Sequence, residues 1–180
     1  LESRGLGDVY KRQVCSNGAI LGDVARDDII EGVTFDAGRV IERLNELVPG
    51  AVFAVEDVHG VFYTTHMFST GPLGLRIKEV SFEDLANEPV VRLVMRSNRH
   101  TEEAFGEAAA QLGFHQVVYG VADVAWMDVG PHDVTKASML QQVCSRKGMR
   151  ADRVVAIGDN WNDVPMLEWA GLGASRLKDA

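Results

Sequence analysis

Cysteine, proline, aromatic residues and positive charge are all scarce in this chain, and each shortage removes a class of protein. Two cysteines among 180 residues, Cys15 and Cys144, are too few for a disulfide framework, and no Cys-x-x-Cys pair offers a zinc site. Both read as reduced thiols. Five prolines, 18 glycines and 7% aromatics, set in a chain that is 46% hydrophobic and 24% charged, exclude collagen-like, mucin-like and disordered classes. Long hydrophobic runs are missing too. The longest are strand-sized, such as Val154 to Ile157, against the roughly 20 residues that a membrane-spanning helix needs. No charged-then-apolar leader opens the chain, so the expected compartment is the cytoplasm and no membrane partner is expected. Eighteen Lys and Arg against 26 Asp and Glu give a net charge of -8. That balance argues against nucleic acid as a partner, and any anionic ligand would need a cation or a local basic patch to hold it.

The opening residues stand apart. Ser3 to Gln13 read Ser-Arg-Gly-Leu-Gly-Asp-Val-Tyr-Lys-Arg-Gln with no apolar period, and the string is similar to a translated transposase sequencing adaptor. Residues 1–13 are therefore set aside as adaptor-derived, which implies that the natural upstream residues are missing from the read. The alternative is a natural polar tail.

From Val14 onward the pattern is that of a folded protein. Val14-Cys15-Ser16 predicts a short strand running into Asn17-Gly18, a pair that favours positive φ and a sharp exit. Asp36 is placed to cap a helix that buries Val40, Ile41, Leu44 and Leu47 before Pro49-Gly50 stops it. Ala51 to Val55 and Val61 to Thr65 read as a hairpin. Ser81 is expected to cap a short helix through Asn87, and Val90 to Met95 to form a strand. Thr101 is expected to cap a helix ending at Gly113, with strands at Gln116 to Val121 and Val124 to Val129. Residues 23–130 thus look α+β, rich in hairpins. After Gly130-Pro131 the order becomes helix, strand, helix. Thr135 opens a helix with Leu140, Val143 and Cys144 inward, Val154 to Ile157 suits a strand buried on both faces, and a helix starts near Asp163 with Pro165 in its first turn. Leu172 to Ala174 makes a last short strand.

Chemistry concentrates where that buried strand ends. Gly158-Asp159-Asn160-Trp161-Asn162-Asp163 lies between a strand and a helix, the place where ligands gather in open α/β sheets. Two carboxylates in such a loop suit a hard cation, and magnesium fits best because it accepts one or two carboxylates and bridges to phosphate. Asp159 can coordinate directly. Asp163 can order a metal water or the loop, while Asn162 and the helix amides can donate to a phosphate. The plain alternative makes Asp163 a helix cap and Asp159 a turn residue. Lys136, at the start of the preceding helix, can neutralise a phosphoryl oxygen. Arg92 and Arg96 share one face of a strand, either toward a cleft or as a solvated sheet face. The five histidines show no paired metal spacing.

Lys136, the Gly-Asp-Asn-x-Asn-Asp loop and the following Met166-Leu167 together resemble the haloacid dehalogenase superfamily, in its Cof-type, class IIB branch. The Ser16-Asn17-Gly18-Ala19 turn resembles the family's Asn-Gly-Ala, where the core leads into an inserted cap. The resemblance implies an α/β fold: a partial Rossmann-like core of three αβα layers, formed by residues 14–22 and 131–180, with an α+β class II cap domain inserted at 23–130. It also implies a Mg²⁺-dependent phosphohydrolase acting on small phosphorylated metabolites such as sugar phosphates. Lys136 would be catalytic, Asp159 and Asp163 would serve the metal, and Asn162 and Asn17 the phosphate. The family's Asp-x-Asp nucleophile motif and its Thr-Gly-Arg are absent from the chain, so the fragment by itself is expected to be inactive, with the nucleophile of the aspartyl-phosphate upstream of Val14. A phosphomutase of the same superfamily, or a catalytically inert binding relative, is the rival reading.

Overall fold

The computed structural model describes residues 12–67, 76–85, 87–112, 115–121 and 124–175. Of the thirteen residues set aside above, the first eleven lie outside that range, while Arg12 and Gln13 belong to the first strand.

Strand β1 (Arg12–Cys15) enters a single 3₁₀ turn at Ser16–Gly18 and returns as β2 (Ile20–Asp23), antiparallel, with Cys15 opposite Ile20; β3 (Asp28–Gly32) completes a three-stranded sheet. Helix α1 (Gly38–Leu47) follows, burying Val40, Ile41 and Leu44 as the spacing requires. Asp36 sits one residue before the cap position and accepts from the Gly38 amide at 2.9 Å.

A six-stranded sheet then occupies the middle of the chain. Its members are β4 (Val52–Glu56), β5 (Val61–Thr64), β6 (Arg76–Glu79), β7 (Arg92–Ser97), β8 (His115–Val121) and β9 (Val124–Gly130), in the order β6-β5-β4-β7-β9-β8. All neighbours are antiparallel except β5 and β6. Residues alternate across it. Phe53, Val55, Leu93, Met95, Met127 and Val129 join α1 and Phe105 of α2 (Glu102–Ala110) in one buried cluster. The opposite face carries Glu56, Arg92, Val94, Arg96, Trp126 and Asp128, placed side by side by the pairings Glu56 with Arg92, Arg96 with Trp126 and Val94 with Asp128.

One expectation fails in this region, and one strand was not foreseen. Residues 82–85 form turns and not the start of a helix; Ser81 does accept from the Asp84 amide at 3.2 Å, but a single turn ahead of Pro89 cannot pass the cost of nucleation. Strand β6, Arg-Ile-Lys-Glu, has no apolar alternation to announce it. It is an edge strand, and charges there are a common guard against further pairing. Gly113, the expected end of α2, lies outside the described residues.

Helix α3 (Lys136–Arg146) buries Met139 and Cys144 most deeply, with Leu140 and Val143 only half-buried. Beyond it β10 (Val155–Gly158), α4 (Val164–Trp169) and the parallel strand β11 (Leu172–Ser175) form a small βαβ unit. Strand β10 departs from the sequence expectation. Ala156 is buried, but Val155 and Ile157 are 64% and 77% exposed. Side chains alternate along the strand: Ala156 lies on the covered face, and Val155 and Ile157 lie on the other, which no element among the described residues buries. The fold as a whole is mixed α/β.

Candidate active site

The loop after β10 is built around one carboxylate. Gly158 closes the strand, and a Cβ there would lie 2.5 Å from Asp163 Cβ; glycine alone lets Asp163 fold back beneath the strand end. Asp163 Oδ2 then accepts from the amides of Asp159 and Asn160 at 3.1 and 3.2 Å, and Asn160 Oδ1 accepts from the Trp161 amide at 2.7 Å. The other oxygen, Oδ1, takes the Lys136 ammonium at 2.6 Å. Asp163 is only 6% exposed. Burial pushes its pKa up, but the Lys136 hydrogen bond, the two amides and the ammonium charge outweigh burial and hold the carboxyl below its usual range.

Lys136 is aimed by its own helix start. Thr135 Oγ1 accepts from the Ser138 amide at 3.1 Å and Ser138 Oγ from the Thr135 amide at 2.9 Å, a reciprocal cap that fixes the first turn of α3. Against that turn lies Gly18, at φ +111°, where a Cβ would stand 2.2 Å from the Thr135 carbonyl oxygen. The neighbouring Asn17, at φ +55°, accepts through Oδ1 from Asn162 Nδ2 at 2.9 Å. Asn162 Oδ1 is buried without a hydrogen-bond partner.

Four of the five residues singled out from sequence, Asn17, Lys136, Asn162 and Asp163, therefore meet in one place through contacts spanning 27 and 145 residues of chain. Asp159 joins through its amide, while its carboxylate is exposed at the strand end. With both oxygens of Asp163 engaged, Asp159 is the carboxylate of the pair left open to a cation. Among the described residues no group of three or more His, Cys, Asp and Glu side chains is arranged to enclose a metal by itself.

Sequence reading missed a second polar cluster. Ser16 Oγ donates to Glu56 Oε2 at 2.9 Å, Arg92 Nε donates to the same oxygen at 2.8 Å, and Arg92 Nη1 reaches Asp128 Oδ2 at 3.3 Å. Glu56 and Asp128 are each 7% exposed. Glu56 lies just past Ala51 to Val55, the run that reads as a strand, and only the β4–β7 register reveals that it faces Arg92. The even spacing of Arg92 and Arg96 was the usable signal: Arg92 lies over the Phe62 ring and Arg96 over Trp126. A cleft of about 550 Å³ next to Glu56 is lined by Cys15, Asp23, Asp27, Asp28, His59 and Arg76 among others. Its carboxylates suit an anion poorly, and neither Lys136 nor Asp163 borders it.

The chain matches the family model of haloacid dehalogenase-like hydrolases over residues 5–175. It belongs to that family. Similar curated proteins are the stress response protein YhaX of Bacillus subtilis, 43% identical over 49 residues (27% of this chain and 17% of that protein), and the phosphoglycolate phosphatase of Methanopyrus kandleri, 50% identical over 42 residues (23% and 18%). Similar solved structures include a haloacid dehalogenase-like hydrolase from B. subtilis, with TM-score 0.71, 18% identity and coverage of 93% of this chain and 69% of that one. A second is a haloacid dehalogenase-like hydrolase from Bacteroides thetaiotaomicron, at 0.64, 19%, 88% and 62%. A third is a subclass IIB sugar phosphatase of the superfamily, at 0.71, 18%, 91% and 63%. These likenesses establish the fold. The chain spans less than a fifth of the two curated relatives and 62–69% of these three structures.

Proposed function

We propose that the chain carries the cation-binding and phosphate-binding half of a magnesium-dependent phosphohydrolase of small phosphorylated metabolites, sugar phosphates among them. The observation that supports it most is the Lys136–Asp163 pair at 2.6 Å, set at the carboxyl end of β10 beside an exposed Asp159. In this reading residues 14–22 and 131–180 form the core and 23–130 the cap, whose sheet bears Arg92 and Arg96 on the face opposite its helices. The sugar-phosphatase neighbour and the phosphoglycolate phosphatase relative favour a phosphomonoester over other substrates.

The donor set suits magnesium: one open carboxylate with room for waters and for a phosphate oxygen is the kind of site that cation takes. Asp159 would hold it directly and Asp163 would support the loop. When bound, the cation offsets charge on the phosphoryl group. Lys136 has three N–H donors; one is spent on Asp163, which fixes the ammonium and leaves the others for a phosphoryl oxygen. Asn17 and Asn162 hold each other so that their remaining amide atoms border the same spot. These groups bind and stabilise, and none of them attacks phosphorus.

The test begins with the gene. Reading the codons upstream of Val14 from an independent DNA sample should yield an Asp-x-Asp after an apolar strand. The chain so extended should hydrolyse p-nitrophenyl phosphate only with Mg²⁺, and Lys136→Ala or Asp159→Ala should lower kcat by at least 100-fold, the order seen for a lost transition-state donor. The reading is overturned by an upstream sequence without that motif, or by turnover in the 180-residue chain that survives Asp159→Ala.

A further inference from the structure

Ser16, Asn17 and Gly18 follow one another at φ +49°, +55° and +111°; Asn and Gly enter that region readily, but serine seldom does. Such backbone persists only where its surroundings dictate it. Here each residue is gripped by a different part of the chain. Gly18 is wedged against the Thr135 carbonyl at the start of α3, Asn17 is held by Asn162 of the β10–α4 loop at 2.9 Å, and Ser16 is held by Glu56 at 2.9 Å. Glu56 comes from the six-stranded sheet. It ends β4, is 7% exposed, and is itself fixed by Arg92, which also reaches Asp128.

We infer that Glu56 is a positioning residue: through the Ser16 hydroxyl it ties the face of the six-stranded sheet opposite α1 and α2 to the turn that presents Asn17 to the Asn162–Asp163 loop. A charge-assisted hydrogen bond to a buried carboxylate is stronger and more directional than a neutral one. Any tilt of the sheet relative to β1 must therefore stretch the Ser16 bond or drag Asn17 with it. The orientation of the sheet is thus read at the site itself, across 40 residues of sequence. The value of this link for turnover rests on the phosphohydrolase reading; the link itself does not.

Amide exchange by NMR on the 180-residue chain tests it. The Ala19 amide donates to the Ser16 carbonyl at 3.1 Å and reports on the turn, Asn162 Nδ2 reports on the loop, and the Ile41 amide, bonded to the Ala37 carbonyl in α1, is the control. Ser16→Gly removes the hydroxyl while suiting the positive φ, so the fold is kept. The expected result is about tenfold faster exchange at Ala19, the size expected for one lost hydrogen bond, with the Asn162 side-chain amide signals moved toward those of a free amide and Ile41 unchanged. Glu56→Leu should reproduce this, the double variant should be no worse than either single one, and Glu56→Gln, whose amide oxygen still accepts from Ser16, should rescue most of it. The inference is overturned if Ser16→Gly leaves Ala19 and Asn162 unmoved, if Ile41 accelerates equally, or if the two substitutions add. Should Glu56→Leu fail to fold, the Ser16→Gly result decides alone. Absence of turnover in every form of the extended chain would overturn the phosphohydrolase reading and leave the exchange result standing.

Discussion

Asp163 is where charge, burial and backbone order converge, and its behaviour with pH follows from the sign of its shift. Its folded pKa lies below the unfolded value, so its contribution to stability is present in full above the ordinary carboxylate range and is lost as pH falls through the folded pKa, below about 4. Asp163→Asn keeps an oxygen for the loop amides but leaves Lys136 without its counter-charge. Because the lysine side chain is 30% exposed, the loss should fall short of the 3–5 kcal/mol typical of a broken buried pair, at about 2 kcal/mol near neutral pH. Urea unfolding at pH 7 and pH 3 checks this: the gap between wild type and variant should narrow at the lower pH, and a gap independent of pH would refute the charge assignment. Cys15 is a quieter case. Burial and the neighbouring Glu56 carboxylate raise its thiol pKa against the opposing effect of Arg92, so alkylation by iodoacetamide at pH 8 should run several-fold slower than for a free thiol, which has a pKa of about 8.5.

At the level of elements, the segments legible in the sequence were those whose pattern is local. Helix α1 announced itself by apolar spacing, α3 by its Thr135 cap, the β4–β5 hairpin by two β-rich runs around a turn, and the β10 loop by its own residues. What stayed hidden depends on partners far along the chain. Strand β6 is polar and exists because β5 offers it an edge, the 81–87 segment lacks the length to hold a helix, and Glu56 gains its role only from the register with Arg92. The exposure of Val155 and Ile157 is likewise a property of neighbours and not of the strand. Close approach between elements was also invisible, since a glycine in sequence does not say what it touches. Gly158→Ala would force a Cβ to within 2.5 Å of Asp163 Cβ, a backbone-supported clash that should cost 1–3 kcal/mol or more. It should also push Asp163 off Lys136. The check is a lowered melting temperature, together with loss of the Mg²⁺ response that the proposed site would give the fluorescence of Trp161 in the same loop.

Across the whole molecule, buried apolar surface is unevenly shared. The six-stranded sheet and its two helices hold the main buried cluster, with Phe53, Phe105, Leu93, Met95 and Met127 each 1% exposed or less. The β10–α4–β11 unit buries Ala156 but leaves Val155, Ile157 and Leu172 more than 60% exposed. Apolar burial scales with stability at roughly 25 cal/mol per Å², and units with unequal burial and few shared core contacts open separately. The unit bearing Asp159 and Asp163 should therefore unfold before the sheet. The three tryptophans divide conveniently: Trp126 lies on the sheet, while Trp161 precedes α4 and Trp169 ends it. In Trp126→Phe the remaining fluorescence follows the site, and in Trp161→Phe/Trp169→Phe it follows the sheet. Urea titration should give a lower midpoint for the first than for the second, and Phe105→Ala, expected to cost 3–5 kcal/mol, should lower only the second. Coincident midpoints, or a shift of both by Phe105→Ala, would mean that the Ser16–Glu56 and Gly18–Thr135 contacts weld the two parts into a single cooperative body, in which a mutation anywhere in the sheet would be felt at Lys136.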